Sequence, residues 1–211
     1  MDRFDLLFER IIKDYSFDNA NTKAIFVFGR MNPPTAGHEM LINHAQSIAE
    51  KENRELFVFV SRTTDANKNP LSHEDKIGLL EFVFPDVNIV ADEMANTPFN
   101  AAYWLRDHGF NDVKIVAGSD RKPEYESRFG PYIDHKDPDK SFNFKKFEVE
   151  VVGGERDPDS EGTSGVSASK ARQLADDGNL AGFAQILPAD APTDIVKSLY
   201  NKIREVHGIN E

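Results

Sequence analysis

With 211 residues, 39% of them hydrophobic, the chain is long enough for one domain with a substantial core. No apolar run approaches the roughly 20 residues that span a bilayer, and the charges scattered through the N-terminal segment are not typical of a secretory signal. We therefore expect a cytoplasmic protein with no membrane partner. A net charge of −11 would repel duplex DNA, which argues against a nucleic-acid partner. The absence of cysteine excludes disulfides and thiolate sites.

Five strand candidates follow one another along the chain. Four are continuous apolar runs, at residues 24–29, 56–61, 87–90 and 113–117. Such runs are typical of strands that are buried on both faces of a parallel sheet. The fifth candidate, residues 147–152, alternates apolar and acidic residues and therefore predicts a half-exposed edge strand.

Helical patterns separate these strands. They cover residues 38–50, residues 72–84, where Ser72 and Asp75 have the spacing of a capping box, and residues 99–108. Further helices are predicted for residues 167–176 and 190–206. Residues 121–146 and 153–165 are polar, with weak periodicity, and are predicted as long loops.

A separate amphipathic helix is predicted near the N-terminus, over residues 3–15. Its apolar face must be buried, either on its own domain or against a partner or second subunit. We expect residues 1–18 to form this element and residues 22–206 to form the domain, with a C-terminal helical part at residues 167–206.

Strands that alternate with helices predict a Rossmann-like, doubly wound α/β fold. Its parallel sheet would have about five strands, with helices on both faces and a C-terminal helical segment. In such folds, ligands bind beyond the carboxyl ends of the strands, where the strand order reverses.

The segment GRMNPPTAGH, residues 29–38, lies where the first strand passes into a helix. Gly29 permits a sharp turn and leaves room for a phosphate, and Gly37 permits a close approach of a ligand. Thr35 can cap the helix, and His38 falls in its first turn. Because a helix N-terminus carries about +0.5 charge and free N–H groups, this junction predicts an anion site.

The segment VSASKAR, residues 166–172, opens a second helix late in the chain. Ser167 and Ser169 offer hydroxyl and backbone donors, and Arg172 follows one turn later on the same side as Ser169. Two such helix N-termini, one after the first strand and one late in the chain, are rare by chance.

Together, the two segments resemble the signatures of the nucleotidylyltransferase superfamily, G-x-F-x-P followed by H/T-x-G-H, and I-S-x-T-x-x-R. Met31 stands in place of the Phe, and Ser169 in place of the Thr. The resemblance implies transfer of a nucleoside monophosphate from a nucleoside triphosphate to a phosphorylated acceptor, with release of pyrophosphate. It implies catalytic roles for Thr35, His38 and Arg172. The implied nucleotide contacts are Gly29, Arg30, Asn32, Gly37, Gly118, Asp120, Ser167 and Ser169.

The segment NPLSHEDK, residues 69–76, is similar to the N-P-F-T-x-x-E-R of archaeal-type nicotinamide mononucleotide (NMN) adenylyltransferases. This similarity implies ATP as the donor and NMN as the acceptor. Basic residues after strand ends and aromatic residues after the third strand are candidates for the acceptor's phosphate and ring, although the aromatic residues are equally expected in the core. The candidate acceptor-binding residues are Arg62, Lys68, Asn69, Phe99, Trp104 and Arg121.

The implied reaction needs no general base, because an acceptor phosphate is already anionic; positioning and charge stabilisation carry the catalysis. We expect Mg²⁺ to arrive with the triphosphate rather than in a protein metal site. Three alternatives stay open: a cytidylyltransferase, a pantetheine-phosphate adenylyltransferase, and a non-catalytic nucleotide-binding module on the same fold.

Overall fold

The computed structural model describes residues 21–152 and 167–209. Five parallel strands form one sheet in the order β3-β2-β1-β4-β5. The strands are β1 (Lys23–Gly29), β2 (Glu55–Val60), β3 (Asn88–Val90), β4 (Asp112–Gly118) and β5 (Lys146–Val152). The predicted Rossmann-like α/β fold is confirmed, and β5 lies at an edge of the sheet, as its alternating pattern predicted. The predicted N-terminal helix and the predicted loop at 153–165 lie outside the described residues.

Helices cover both faces of the sheet. On one face lie α1 (Ala36–Glu52) and α2 (His73–Val83), and on the other α3 (Pro98–Asp107) and α4 (Lys122–Ile133). The alternation of side chains along β1 serves both cores, since Ile25 packs towards α1 and α2 while Phe26 packs towards α3 and α4. Both side chains are fully buried, which explains why the central strands are continuously apolar.

Three C-terminal helices form a further layer: α5 (Ala168–Asp176), α6 (Leu180–Ile186) and α7 (Thr193–Val206). Their apolar core includes Leu79 from α2 and Leu71 from the segment before it. Helix α7 begins later than predicted, at Thr193, because Pro192 occupies its N-cap. No helix within the described ranges has the length and apolar character to cross a membrane.

The prediction of a loop over residues 121–146 is wrong for its first half, which forms α4. The sequence pattern there is obscured by Pro123, which is tolerated in the first helical turn, and by Pro131 inside the helix. Tertiary packing stabilises the helix, because Phe129 is buried and its ring stacks on that of Phe147 from β5, with centroids 5.2 Å apart. Residues 134–145 have no regular structure, as predicted.

The strand order reverses between β1 and β4. From β1 the chain proceeds outward to β2 and β3, whereas from β4 it proceeds outward to β5 on the other side. The carboxyl ends of β1, at Gly29, and of β4, at Gly118, border the crevice that this reversal creates.

Candidate active site

A cleft of about 1150 Å³ lies over the carboxyl ends of β1 and β4. It is lined by the loop before α1, the N-termini of α1 and α5, the turn after β2, and parts of α3 and α4. The described lining residues include five cationic side chains and two carboxylates: Arg30, Lys68, Arg121, Arg128 and Arg172, against Asp120 and Glu124. In a chain with a net charge of −11, this is a local concentration of positive charge, which suits an anionic ligand.

The N-terminus of α1 places His38 at the cleft with one defined tautomer. Thr35 is the N-cap residue, and its backbone N–H donates to Nδ1 of His38 at 3.0 Å. The Oγ1 atom of Thr35 lies 2.9 Å from the same nitrogen. Because Nδ1 accepts a hydrogen bond, the proton of the neutral ring resides on Nε2. His38 can therefore act as a hydrogen-bond donor, which is the role expected beside phosphate oxygens.

The loop between β1 and α1 is built around two buried side chains. Met31 packs beside Gly29, where an added Cβ would come within 2.9 Å of Cε of Met31. Gly29 therefore makes room for Met31, and not only for a ligand as the sequence suggested. The amide of Asn32 bonds in both directions with the backbone of Leu71, donating to its carbonyl and accepting from its N–H, each at 3.0 Å. Asn32 lines the cleft, but its side chain is already occupied in fixing the loop.

The N-terminus of α5 brings the second signature to the same cleft. The hydroxyl of Ser167 caps the helix by accepting from the backbone N–H of Lys170. One Nη atom of Arg172 donates to Oγ of Ser169 at 3.1 Å and the other to the carbonyl oxygen of Asn32 at 2.7 Å. Burial lowers the pKa of Arg172, and the positive charge of Arg30 lowers it further. The two signatures, 140 residues apart at this hydrogen bond, thus meet directly.

Another part of the cleft lining comes from the end of β4 and from α4. Arg121 and Arg128 both form ion pairs with Glu124, at 3.0 and 3.1 Å. Beneath them lie aromatic rings; Phe99 from α3 packs against Phe129, with centroids 4.5 Å apart. This end combines an apolar floor with charged groups at its rim, which suits a ligand that has a planar ring.

Most of the sequence-predicted site residues line this one cleft. They are Gly29, Arg30, Asn32, Thr35, Gly37, His38, Lys68, Asn69, Phe99, Gly118, Asp120, Arg121, Ser167, Ser169 and Arg172. Arg62 and Trp104, predicted as acceptor-binding residues, are not among the lining residues.

Arg62 and Trp104 are instead used by the fold. Arg62 donates to the carbonyl oxygen of Ala91 at 2.9 Å, and its charge adds to the burial that lowers the pKa of His73 to about 4. Trp104 is buried among core aromatic rings, and its Nε1–H donates to Asp92 at 2.9 Å. We therefore leave both residues out of the proposed acceptor site.

Sequence reasoning missed the cleft residues of α4. Glu124, Tyr125, Arg128 and Phe129 all line the cleft, but they lie in the segment that was predicted as a loop. The spacing of Tyr125 and Phe129, four residues apart on one helical face, was the available signal.

In comparisons with solved structures, the chain is similar to Plasmodium falciparum nicotinic acid mononucleotide adenylyltransferase complexed with APC, and to the same enzyme complexed with NaAD. The TM-score is 0.57 for both, at 13% and 15% identity, and the alignments cover 90% and 89% of this chain and 99% and 98% of those chains. No protein-family model and no curated protein sequence matches the chain.

A third similar structure is the Francisella tularensis bifunctional NMN adenylyltransferase/ADP ribose pyrophosphatase complexed with AMP and a manganese ion. Its TM-score is 0.52 at 16% identity, with 88% of this chain and 52% of that chain covered. At such low identity these similarities establish the fold alone: the chain has the fold of these adenylyltransferases.

Proposed function

We propose that this protein is a nucleotidylyltransferase, with ATP as the donor and NMN as the acceptor. The observation that carries the proposal is the meeting of two helix N-termini at one cleft, joined by the hydrogen bond from Arg172 to the carbonyl of Asn32. Each N-terminus offers backbone donors and a positive dipole end, and each carries a side-chain donor, His38 or Arg172. This arrangement suits a triphosphate that bridges the two helices.

In the proposed mechanism, the acceptor phosphate attacks the α-phosphorus in line and pyrophosphate leaves. Nε2–H of His38 would donate to the α-phosphate or the bridging oxygen, with Thr35 orienting the ring through Nδ1. Ser167, Ser169 and Arg172 would hold the β and γ phosphates, and Arg30 would add positive charge. The donors are fixed by the fold before substrate binds, so that little reorganisation is needed as charge develops.

We propose that Mg²⁺ enters with the triphosphate and is held mainly by phosphate oxygens and water. Within residues 21–152 and 167–209, no group of three or more His, Asp and Glu side chains is arranged to hold a metal ion. Magnesium would shield the negative charge of the leaving group.

The choice of NMN rests on the segment 69–76 and on the aromatic floor formed by Phe99 and Phe129. In favour of this class of acceptor, the similar structures include adenylyltransferases that act on pyridine mononucleotides, by their names. The archaeal-type subgroup, the cytoplasmic location and a homo-oligomeric state stay predictions.

The decisive experiment measures pyrophosphate release by the full chain with Mg²⁺. ATP and CTP are each paired with NMN, nicotinic acid mononucleotide, phosphopantetheine and a sugar phosphate. NAD formation from ATP and NMN would establish the proposed reaction. Turnover only with CTP, or only with phosphopantetheine, would assign one of the alternative enzymes, and tight ATP binding without turnover on any acceptor would indicate a non-catalytic module.

A further inference from the structure

The turn after β2 borders the cleft and is organised by one carboxylate. We call residues 65–71 the Asp65 turn. Oδ1 of Asp65 accepts from the backbone N–H groups of Asn67 and Lys68, at 3.0 and 2.7 Å, and Oδ2 accepts from the side-chain amide of Asn69. The backbones of Asp65 and Asn69 also pair in both directions, at 3.0 and 3.2 Å. These contacts occupy about three of the four lone-pair sites of the carboxylate.

The Asp65 turn is fastened to the rest of the site. Its last residue, Leu71, is held by the amide of Asn32, and the carbonyl of Asn32 is held by Arg172. The turn, the loop before α1 and the N-terminus of α5 therefore form one continuous hydrogen-bonded unit. Lys68 and Asn69 line the cleft from this unit.

The charge of Asp65 has the wrong sign for a direct role in binding phosphate. Its negative charge opposes the effects of burial and of Arg30, which together lower the pKa of Arg172, so the field of Asp65 reaches Arg172. If electrostatics were its whole contribution, removing the carboxylate would strengthen the binding of an anion. A positioning role predicts instead that removing the carboxylate weakens the binding of an anion. The direction of the change in affinity therefore distinguishes the two roles.

We propose that Asp65 is a positioning residue, which holds the turn so that the ammonium group of Lys68 meets a phosphate group in the cleft. The phosphate is carried either by the nucleoside triphosphate or by the phosphorylated acceptor. The identity of these ligands rests on the proposed function. Binding can be measured without turnover, so a failure of the proposed reaction and a failure of the positioning role are distinguishable.

The test is a double-mutant cycle on the full chain with Asp65→Ala, Lys68→Ala and the double variant. Calorimetry with Mg²⁺-ATP and, separately, with NMN shows which ligand depends on Lys68. We expect Asp65→Ala to weaken the binding of that same ligand about tenfold, the size of one lost charge-assisted contact. In the Lys68→Ala background, Asp65→Ala should have no further effect, because residues that act as a unit are non-additive.

Two further variants serve as controls for a loss of affinity that is caused by a general loss of structure. Asp65→Asn retains an Oδ1 acceptor for the two backbone N–H groups and should restore most of the affinity, although it lacks the charge and the acceptor for the side-chain amide of Asn69. Asp137→Ala removes a half-buried carboxylate whose Oδ1 likewise accepts from a backbone N–H, that of Asp139, outside the cleft lining. It should leave the affinity for both ligands unchanged.

Four results would overturn the positioning role. These are unchanged or tighter binding by Asp65→Ala, additive effects of the two single substitutions, no effect of Lys68→Ala on either ligand, and no recovery in Asp65→Asn. Binding of ATP with the expected cycle, but without pyrophosphate release on any acceptor, would support the positioning role and contradict the proposed reaction.

Discussion

The two ends of the sheet differ in how their charged side chains are paired. At the amino end, Arg54 donates to Glu52 at 2.7 Å and to Asp112 at 2.8 Å, and Lys114 contacts Glu52 at 2.6 Å. At the carboxyl end, Arg121 and Arg128 form ion pairs with Glu124, whereas the positive charge of Arg30 acts against that of Arg172. The charges named at the amino end are balanced within the protein, whereas Arg30 and Arg172 at the carboxyl end repel one another.

This contrast separates stability from function. A paired charge contributes to the free energy of folding, and an unpaired cation at a cleft costs stability until an anion binds. Substitutions at the amino end should therefore change the free energy of unfolding and leave ligand affinity unchanged. Substitutions of cleft residues at the carboxyl end should change ligand affinity and leave the free energy of unfolding unchanged. The following predictions test this division, from the largest expected effect to the smallest.

His38→Ala should lower turnover by about a hundredfold or more, because removing one oriented donor typically raises the barrier by about 2.7–4 kcal/mol. The fold should stay intact, with a modest fall in melting temperature because the backbone N–H of Thr35 loses its acceptor. Steady-state pyrophosphate release and thermal unfolding measure the two quantities. His44→Ala, on the same helix but outside the cleft lining, is the matched control. Near-normal turnover in His38→Ala would contradict the proposed mechanism.

Arg54→Ala should lower the free energy of unfolding by about 3 kcal/mol, because it leaves Asp112 without its ion-pair partner and Glu52 with Lys114 alone. It also removes donors to the backbone carbonyls of Ala24 and Asp112. Chemical denaturation measures the loss, and ATP affinity of the remaining folded protein should match the unsubstituted chain. A large change in ATP affinity would show that the two ends of the sheet are not independent.

Asn32→Ala should affect both properties, because Asn32 is a structural residue inside the site. Losing its two hydrogen bonds with Leu71 leaves buried backbone groups unpaired and should cost about 1–3 kcal/mol of stability. It should also weaken ATP binding, since Arg172 rests on the same loop. Denaturation and calorimetry on one sample give both values. A loss of affinity without any loss of stability would favour direct contact of Asn32 with the nucleotide.

The smallest effect concerns acid stability. Hydrogen bonds from Lys114 and Arg54 lower the pKa of Glu52 to about 2. Because the folded state binds this proton less readily than the unfolded chain does, the contribution of Glu52 is present above its ordinary pKa of 4.5. It is lost as the pH falls from 4.5 towards 2. Denaturation measures the free energy of unfolding at pH 6 and at pH 3. The decrease between these two pH values should be smaller for Glu52→Gln than for the unsubstituted chain. Equal decreases would contradict the role of Glu52 in acid stability.

Much of the fold could be predicted because its strands are marked locally. Ala24 to Val27 form a continuous apolar run since both faces of β1 are covered, and β5 alternates since it lies at the edge. Helix α4 could not be predicted with the same means. Its prolines obscure the helical period, and the contacts of Phe129 with Phe99 and Phe147 come from distant parts of the chain.

The candidate site shows the same division. Thr35, His38 and Ser167 were predictable because N-capping depends on a few neighbouring residues. The exclusion of Arg62 and Trp104 from the cleft could not be predicted from the sequence. A residue just past a strand end, or on a covering helix, can face either the cleft or the core.

The sequence by itself therefore determined most of the strand and helix pattern and the two capped helix N-termini, all of which depend on short stretches of chain. Only the tertiary structure decided which groups meet. It joined Arg172 to Asn32 and Asn32 to Leu71, it brought α4 over the cleft, and it paired the charges of Arg54 and Lys114 at the far end. These contacts join residues far apart in sequence, and their geometry follows from how the layers pack rather than from any local pattern.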